Sequence, residues 1–217
     1  MNFLSLFVLI PVLMLGGLLL ASDIKQIRAV CATGASLLLL LAVALTVLFL
    51  GERNSGNTAE MLFTASSVWY APFHIHYSVG VDGISVAMLL LSSIIVFTGI
   101  FTSWKMELLP REYFMWFCLL SIGVFGFFIS TDLFTMFYEI ALIPMYLLIG
   151  VWGTGKKEYA AMKLTLMLMG GSALLLVGIL GIYFNSGATS MNILDIARQH
   201  IPDELQRWFF PLTFIGF

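Results

Sequence analysis

Glu139 is the residue whose place in the sequence demands a chemical explanation. It lies in the run Leu133-Phe134-Thr135-Met136-Phe137-Tyr138-Glu139-Ile140-Ala141-Leu142-Ile143-Pro144-Met145-Tyr146, which apart from Thr135 is otherwise apolar or aromatic. An ionised side chain in hydrocarbon costs about 2.5–3.5 kcal/mol on insertion scales, so a glutamate there implies a protonated carboxyl, a paired one, or one that alternates between the two states. Burial raises a carboxyl pKa above its usual value of about 4.3 and a nearby cation lowers it, which suits a group that carries protons near neutral pH. Asp132 stands seven positions earlier, about 10 Å along a helix axis, and Tyr146 seven later. Seven residues turn a helix through about 700°, so the spacing predicts Asp132, Glu139 and Tyr146 on one face, with Asp132 at the external end of a proton path.

Lys163, five residues after Glu158 and directly ahead of an uncharged run, is a second candidate for that path if it points inward, and a snorkelling headgroup contact if it does not. Pro144 removes a backbone donor in mid-helix and frees the Ile140 carbonyl, predicting a kink one turn from Glu139. His74 and His76 would point the same way on a strand as a metal pair does, but no third ligand accompanies them and they read as surface histidines. Asp82-Gly83 reads as an N-cap and turn opening a helix. Gly170, Gly171, Gly178 and Gly181 predict close helix packing. Cys31 and Cys118 lie in apolar stretches and read as buried structural thiols. No nucleophilic triad, phosphate loop, haem motif or iron–sulfur spacing is present, so this chain is expected to bind no cofactor and to carry out no redox chemistry itself.

The elements that hold these residues follow from composition. Of 217 residues, 60% are hydrophobic and 10% charged, with a mean hydropathy of +1.02. That excludes a disordered chain and a water-soluble globule, and a net charge of −2 offers no basic surface for nucleic acid. A bilayer core about 30 Å thick takes about 20 apolar residues per helix. Six uncharged runs of that order occur, at Phe3–Ala21, Ala29–Leu50, Ile84–Trp104, Tyr113–Ile129, Leu133–Trp152 and Leu164–Phe184. A seventh begins at Trp208 and stops at Phe217, about half the length of a span, which implies either a re-entrant end or, the reading favoured, a fragment of a longer chain. The fold expected is an all-α membrane protein, a multi-spanning helical bundle. Its parts are helices 1–2 (1–50), an external loop with a hairpin (51–82), and helices 3–6, an interfacial helix near 190–206 and a truncated helix 7 (83–217). Lys25, Arg28, Lys105, Arg111, Lys156 and Lys157 occupy the odd-numbered connections, against Arg53, Arg198 and Arg207 in the even ones. The positive-inside rule then puts the amino terminus outside a bacterial cytoplasmic membrane.

The stretch from Ser130 to Gly153, with its Glu139 and its Pro144-Met145-Tyr146 block, resembles the fifth-helix signature of the antiporter-like membrane subunits of respiratory complex I, the proton-pumping NADH:quinone oxidoreductase. Gly80-Val81-Asp82-Gly83-Ile84-Ser85 and Lys157-Glu158-Tyr159-Ala160-Ala161-Met162-Lys163 resemble the openings of the third and sixth helices in the same family. The resemblance implies fourteen helices with two inverted five-helix repeats, and a Glu139 that pairs with a lysine on the seventh helix and translocates protons. Lys163 matches a lysine seen on the sixth helix. The resemblance also implies NAD, FMN, iron–sulfur clusters and quinone in partner subunits, with neighbouring antiporter-like chains and the bilayer as this chain's own partners. The sequence departs from the family by ending inside helix seven, so the partner lysine and the second repeat lie outside it. A D-type subunit of a multisubunit Na⁺/H⁺ antiporter, or a structural scaffold, are the alternatives.

Overall fold

In a computed structural model the chain is a membrane-type helical bundle, and the structure describes residues 2–70, 75–132, 138–187, 191–199 and 202–216. A short 3₁₀ turn, Phe3–Ser5, leads into α1 (Leu6–Leu20). There follow α2 (Ile24–Asn54), a hairpin of β1 (Leu62–Tyr70) and β2 (Ile75–Val81), α3 (Gly83–Thr102) and α4 (Pro110–Ile129). The chain continues through α5 (Tyr138–Trp152), α6 (Lys157–Ser186), the single-turn α7 (Ile193–Ala197) and α8 (Asp203–Gly216). Five of these helices are long and apolar enough to cross a bilayer by length and composition, and the apolar part of α5, Ile140–Trp152, is shorter. Residues 133–137, the expected start of that fifth span, lie outside the described residues.

Spans and helices differ at their ends for a physical reason. The uncharged run Ala29–Leu50 underestimates α2, which begins at Ile24 and carries Lys25, Arg28, Glu52 and Arg53 within the helix. An apolar run measures hydrocarbon thickness, whereas the helix continues into the headgroup layer, where charged side chains are solvated. For the same reason α6 takes in Lys157, Glu158 and Lys163 ahead of its apolar run.

The core is built from α1 to α4. Phe7, Met14 and Leu18 of α1 meet Cys31, Ala35 and Leu38 of α2, Val86 and Leu89 of α3, and Phe114, Cys118 and Phe125 of α4 in one buried cluster. The rings of Phe7 and Phe125, both fully buried, stand 5.7 Å apart. Both cysteines are buried free thiols. From α4 the bundle continues sideways, α5 against α4, α6 against α5 and α8 against α6. Three of the four glycines that predicted close packing explain the last contact. A Cβ at Gly178 or Gly181 would collide with Thr213 or Phe209 of α8, and one at Gly171 would stand 2.8 Å from the Gly216 carbonyl, whereas Gly170 faces open space. Small residues let two helix backbones approach, the usual route to helix association in a membrane.

At one end of the bundle the basic residues tie the connections together. Arg111, in the first turn of α4, donates from Nε to the Leu18 carbonyl at 3.0 Å and from its guanidinium to the Leu19 carbonyl, satisfying orphan acceptors at the end of α1. The Arg28 guanidinium lies 5.6 Å from the Trp104 ring centroid, and Trp152 donates to the Leu108 carbonyl at 2.8 Å. At the opposite end stands the hairpin. Its antiparallel register pairs Ala65 with Val79, Ser66 with Ser78 and Val68 with His76, with an irregularity after Leu62 where Phe63 takes φ 56°. The expected alternation from Phe73 to Val79 is strand from Ile75 on, and Phe73 and His74 lie outside the described residues. Asp82 caps α3, accepting from the Ser85 N–H at 2.7 Å. Burial opposes its ionisation, but the bonds from Ser85 and the charge of Arg53 outweigh that, holding the carboxyl below its usual range.

The region near 190–206, expected as one interfacial helix, is divided between α7 and the opening of α8. Pro202 accounts for the division. It disfavours helix at the residue before it, while its own carbonyl accepts the first bonds of α8 from Leu205 and Gln206. Ile196 is the buried residue of α7, and Met191, two positions before the helix starts, is buried as well.

Candidate functional site

The candidate site is α5 and its two flanks. Glu139 is the second residue of α5, within an otherwise apolar helix that also holds Pro144; its side chain lies outside the described residues. Pro144 is buried in the helix interior. Having no N–H, it leaves the Ile140 carbonyl without its intrahelical donor, a polar acceptor one turn from Glu139. On the α4 side, α5 is held very close. Gly123 faces Ala141 so tightly that a Cβ on the glycine would lie 2.9 Å from the alanine Cβ. Beside this contact is an apolar cavity of about 260 Å³ lined by Val124, Phe128, Leu142, Met145 and Leu168 among others.

Asp132 departs from expectation. It is not on the helix with Glu139 and Tyr146: its backbone is extended and paired, forming an isolated antiparallel bridge with Asn192, while Ser130 bridges Val79 of the hairpin. The single stripe through Asp132, Glu139 and Tyr146 is therefore corrected to a helical pair, Glu139 and Tyr146, preceded by an extended aspartate. The cause is competition for backbone hydrogen bonds. The Thr131 N–H goes to the Ser78 carbonyl at 3.0 Å and the Thr131 carbonyl accepts from the Ile193 N–H at 2.9 Å, so these groups serve neighbouring segments instead of a helix. The Asp132 side chain is fully buried, and Oδ2 accepts from the His76 backbone N–H at 3.3 Å. The Ser130 hydroxyl donates to the Asp132 carbonyl at 3.1 Å, and Asn192 accepts from the Leu194 N–H at 3.0 Å to cap α7. A cavity of about 290 Å³ opens beside this junction, lined by Thr64, Ser66, Ser78, Thr131 and Asn192 with three apolar neighbours.

Lys163 is exposed on α6, and its ammonium lies 6.0 Å from the ring centroid of Tyr159, one turn nearer the start of the helix. Ala161, the neighbour that contacts Gly150 of α5, is about 200° away around the helix, so Lys163 occupies the side turned from α5. The described residues thus do not bring Lys163 toward Glu139's helix. Sequence reasoning missed Thr131, Ser78 and Asn192, which take part in the backbone pairing of residues 130–132 ahead of α5. The one local signal was Asn192 ahead of a short apolar helix, a cap residue in the right place.

Residues 130–217 match a family model described as "NADH:quinone oxidoreductase/Mrp antiporter, TM". Over its full course the chain is similar to an NAD(P)H-quinone oxidoreductase chain 4 of a Synechococcus species, 31% identical over 217 residues, or 99% of this chain and 40% of that one. NADH-quinone oxidoreductase subunit M of Rhodobacter capsulatus is 36% identical over 133 residues, 60% of this chain and 26% of the relative. The chain spans well under half the length of these curated relatives. Among solved structures it superposes on a chain of respiratory complex I from Thermus thermophilus with a TM-score of 0.83 and 24% identity, covering 98% of this chain and 43% of that one. A chain of an archaeal membrane-bound sulfane sulfur reductase gives 0.78 at 21% identity, with the same coverage. These two likenesses concern the fold.

Proposed function

From the premise that the chain belongs to the antiporter-like family of membrane proteins shared by NADH:quinone oxidoreductases and Mrp antiporters, we propose that it is the amino-terminal part of a subunit M-type chain that moves protons in complex I. The observation that carries this reading is Glu139, an ionisable group inside the apolar α5. Its helix is pressed against α4 at Gly123 and has lost one internal hydrogen bond at Pro144. A carboxyl there takes up a proton when its surroundings are apolar and releases it when a cation approaches. Such a group gates proton transfer when the cation moves.

The cation of the pair is a lysine supplied by a segment beyond Phe217. Lys163 faces away from α5 and enters the path only if a further helix covers its side of α6. Redox chemistry belongs to partner subunits in this reading: NAD, FMN, iron–sulfur clusters and quinone are bound there, and this chain contributes proton transfer alone. Neighbouring antiporter-like chains and the bilayer are its partners. The charge asymmetry of the connections supports an amino terminus outside a bacterial cytoplasmic membrane.

The test is Glu139→Gln in the full-length protein within its assembled complex. NADH-driven proton uptake by inverted membrane vesicles falls at least tenfold per NADH oxidised while assembly is retained. Unchanged uptake refutes the reading. The family also contains Mrp antiporters, so Na⁺-dependent proton exchange without NADH oxidation is the outcome that assigns the chain to an antiporter instead.

A further inference from the structure

Arg28 stands where the charged first turns of α2 meet its uncharged run, and Trp104 stands where the uncharged run of α3 ends. Both therefore mark the same level, the boundary between headgroups and hydrocarbon. Their side chains meet there, the guanidinium 5.6 Å from the centroid of the indole. Arg28 is half-buried, yet among the described residues it has no hydrogen-bond or ion-pair partner. Lys25, one turn earlier on the same side of α2, and Lys105, directly after Trp104, are exposed and equally unpaired among the described residues. Their acidic neighbours in sequence, Asp23 and Glu107, are exposed and pair with none of the three. Stacking on a ring orients a guanidinium without using its N–H donors, so Arg28 keeps its planar fork for a bidentate acceptor such as a phosphate.

What that phosphate is attached to follows from α3. Phe97, Phe101 and Trp104, spaced four and three residues apart, form one aromatic stripe that runs from the guanidinium into the span. The rings of Phe101 and Trp104 stack 5.5 Å apart, and those of Phe97 and Phe101 stand 4.8 Å apart. Gly99, which meets Phe117 of α4, is about 200° around the helix from both phenylalanines, so the stripe is turned away from α4. Phe101 is 45% exposed. A free phosphate ion would satisfy the guanidinium and leave this apolar stripe uncovered, whereas a phospholipid covers both.

We propose that Lys25, Arg28, Trp104 and Lys105 form a binding site for an anionic phospholipid, with its phosphate on the Arg28 guanidinium and an acyl chain along Phe101 and Phe97. An anionic headgroup is preferred because a zwitterionic one brings its own cation beside the phosphate. Each lysine or arginine close to an anionic headgroup favours it about fivefold. The site is independent of the proton-transfer reading of Glu139 and requires only that α2 and α3 span the bilayer.

The experiment uses the full-length protein in its assembled complex, with the photoreactive residue benzoylphenylalanine in place of Phe101. The complex is reconstituted into phosphatidylcholine vesicles containing a minor share of phosphatidylglycerol and illuminated, and mass spectrometry of the α3 peptide reads which lipid is attached. Phosphatidylglycerol adducts exceed that lipid's share of the vesicle at least fivefold. Arg28→Gln lowers the excess about fivefold, Arg28→Lys retains at least half of it, and Lys156→Gln, on the α5–α6 connection, leaves it unchanged. The same photoreactive residue in place of Ile95, on another exposed face of α3, reports the vesicle composition in both the parent and Arg28→Gln. Adducts at position 101 that simply follow the vesicle composition in the parent overturn the proposal, and so does an equal excess at position 95. Equal losses from Arg28→Gln and Lys156→Gln overturn it too, because the preference then belongs to the whole basic surface. Inorganic phosphate added at constant ionic strength leaves the excess intact; if it abolishes the excess, the ligand is a soluble anion and the lipid assignment is wrong.

Discussion

Helices α1 to α4 and helices α5, α6 and α8 obey different packing rules. In the apolar window of α4, 44% of residues are buried within the chain, against 11% in that of α6. α1 to α4 enclose one another around Phe7, Phe125 and their neighbours, whereas α5, α6 and α8 follow one another like panels of a screen. Leu166, Met167, Leu176, Val177 and Phe184 of α6 remain exposed. In a bilayer apolar exposure carries no penalty, so both arrangements are stable, but only the second leaves helix faces open to further helices or lipid. The ionisable Glu139 sits at the junction between the two. One side of its helix is fixed by the closed cluster and the other belongs to the open screen.

Core substitutions test the contrast most severely. Phe125→Ala should destabilise the protein by about 3–5 kcal/mol, measured by thermal unfolding in detergent, because it empties a fully buried ring site. Met167→Ala, on the open face of α6, should change stability of the isolated chain by no more than about 0.5 kcal/mol. Equal effects would erase the distinction between the two regions.

Gly178→Leu should prise α8 from α6 by overpacking, at about 1–3 kcal/mol or more, and leave α1 to α4 folded. Limited proteolysis that releases only the segment after α6 would show this. Arg111→Ala should cost about 1.5–3 kcal/mol, since it removes charge-assisted bonds to the Leu18 and Leu19 carbonyls, and the loss should fall on α1 and α4. Hydrogen exchange at the end of α1 is the readout.

The smallest effect concerns Asp82. Asp82→Ala removes the cap of α3 and should cost about 1 kcal/mol at neutral pH. The folded-state pKa of Asp82 is depressed, so its contribution is fully present above the unfolded value of about 3.9 and is lost as pH falls through the lower folded value. The stability difference between parent and Asp82→Asn should therefore shrink in that acidic window. A difference independent of pH would show that the carboxylate charge contributes nothing.

The spans were legible in the sequence because an uncharged apolar run has the length the bilayer demands. Their ends were not, since Lys25, Arg53 and Lys157 continue helices beyond the hydrocarbon. The Asp82 cap and the glycine contacts of α6 and α8 were legible too, being local or nearly so. Asp132 was misread because counting helical turns from Glu139 presumes that the helix reaches back that far. The partners that hold Asp132 in extended backbone are His76, 56 positions earlier, and Asn192, far later in the chain. No local pattern reports pairing at such separations. The direction of Lys163 was equally hidden, because α6 is apolar almost all round and its periodicity does not single out a buried face.

The most direct measurement is infrared difference spectroscopy of the intact complex during turnover, comparing the parent with Glu139→Gln. Proton transfer through α5 predicts a carboxylic C=O band that appears and disappears with turnover in the parent and is absent from the variant. A parent spectrum without a band assignable to Glu139, in a complex that is pumping, would mean that this carboxyl keeps one ionisation state throughout and does not carry the proton.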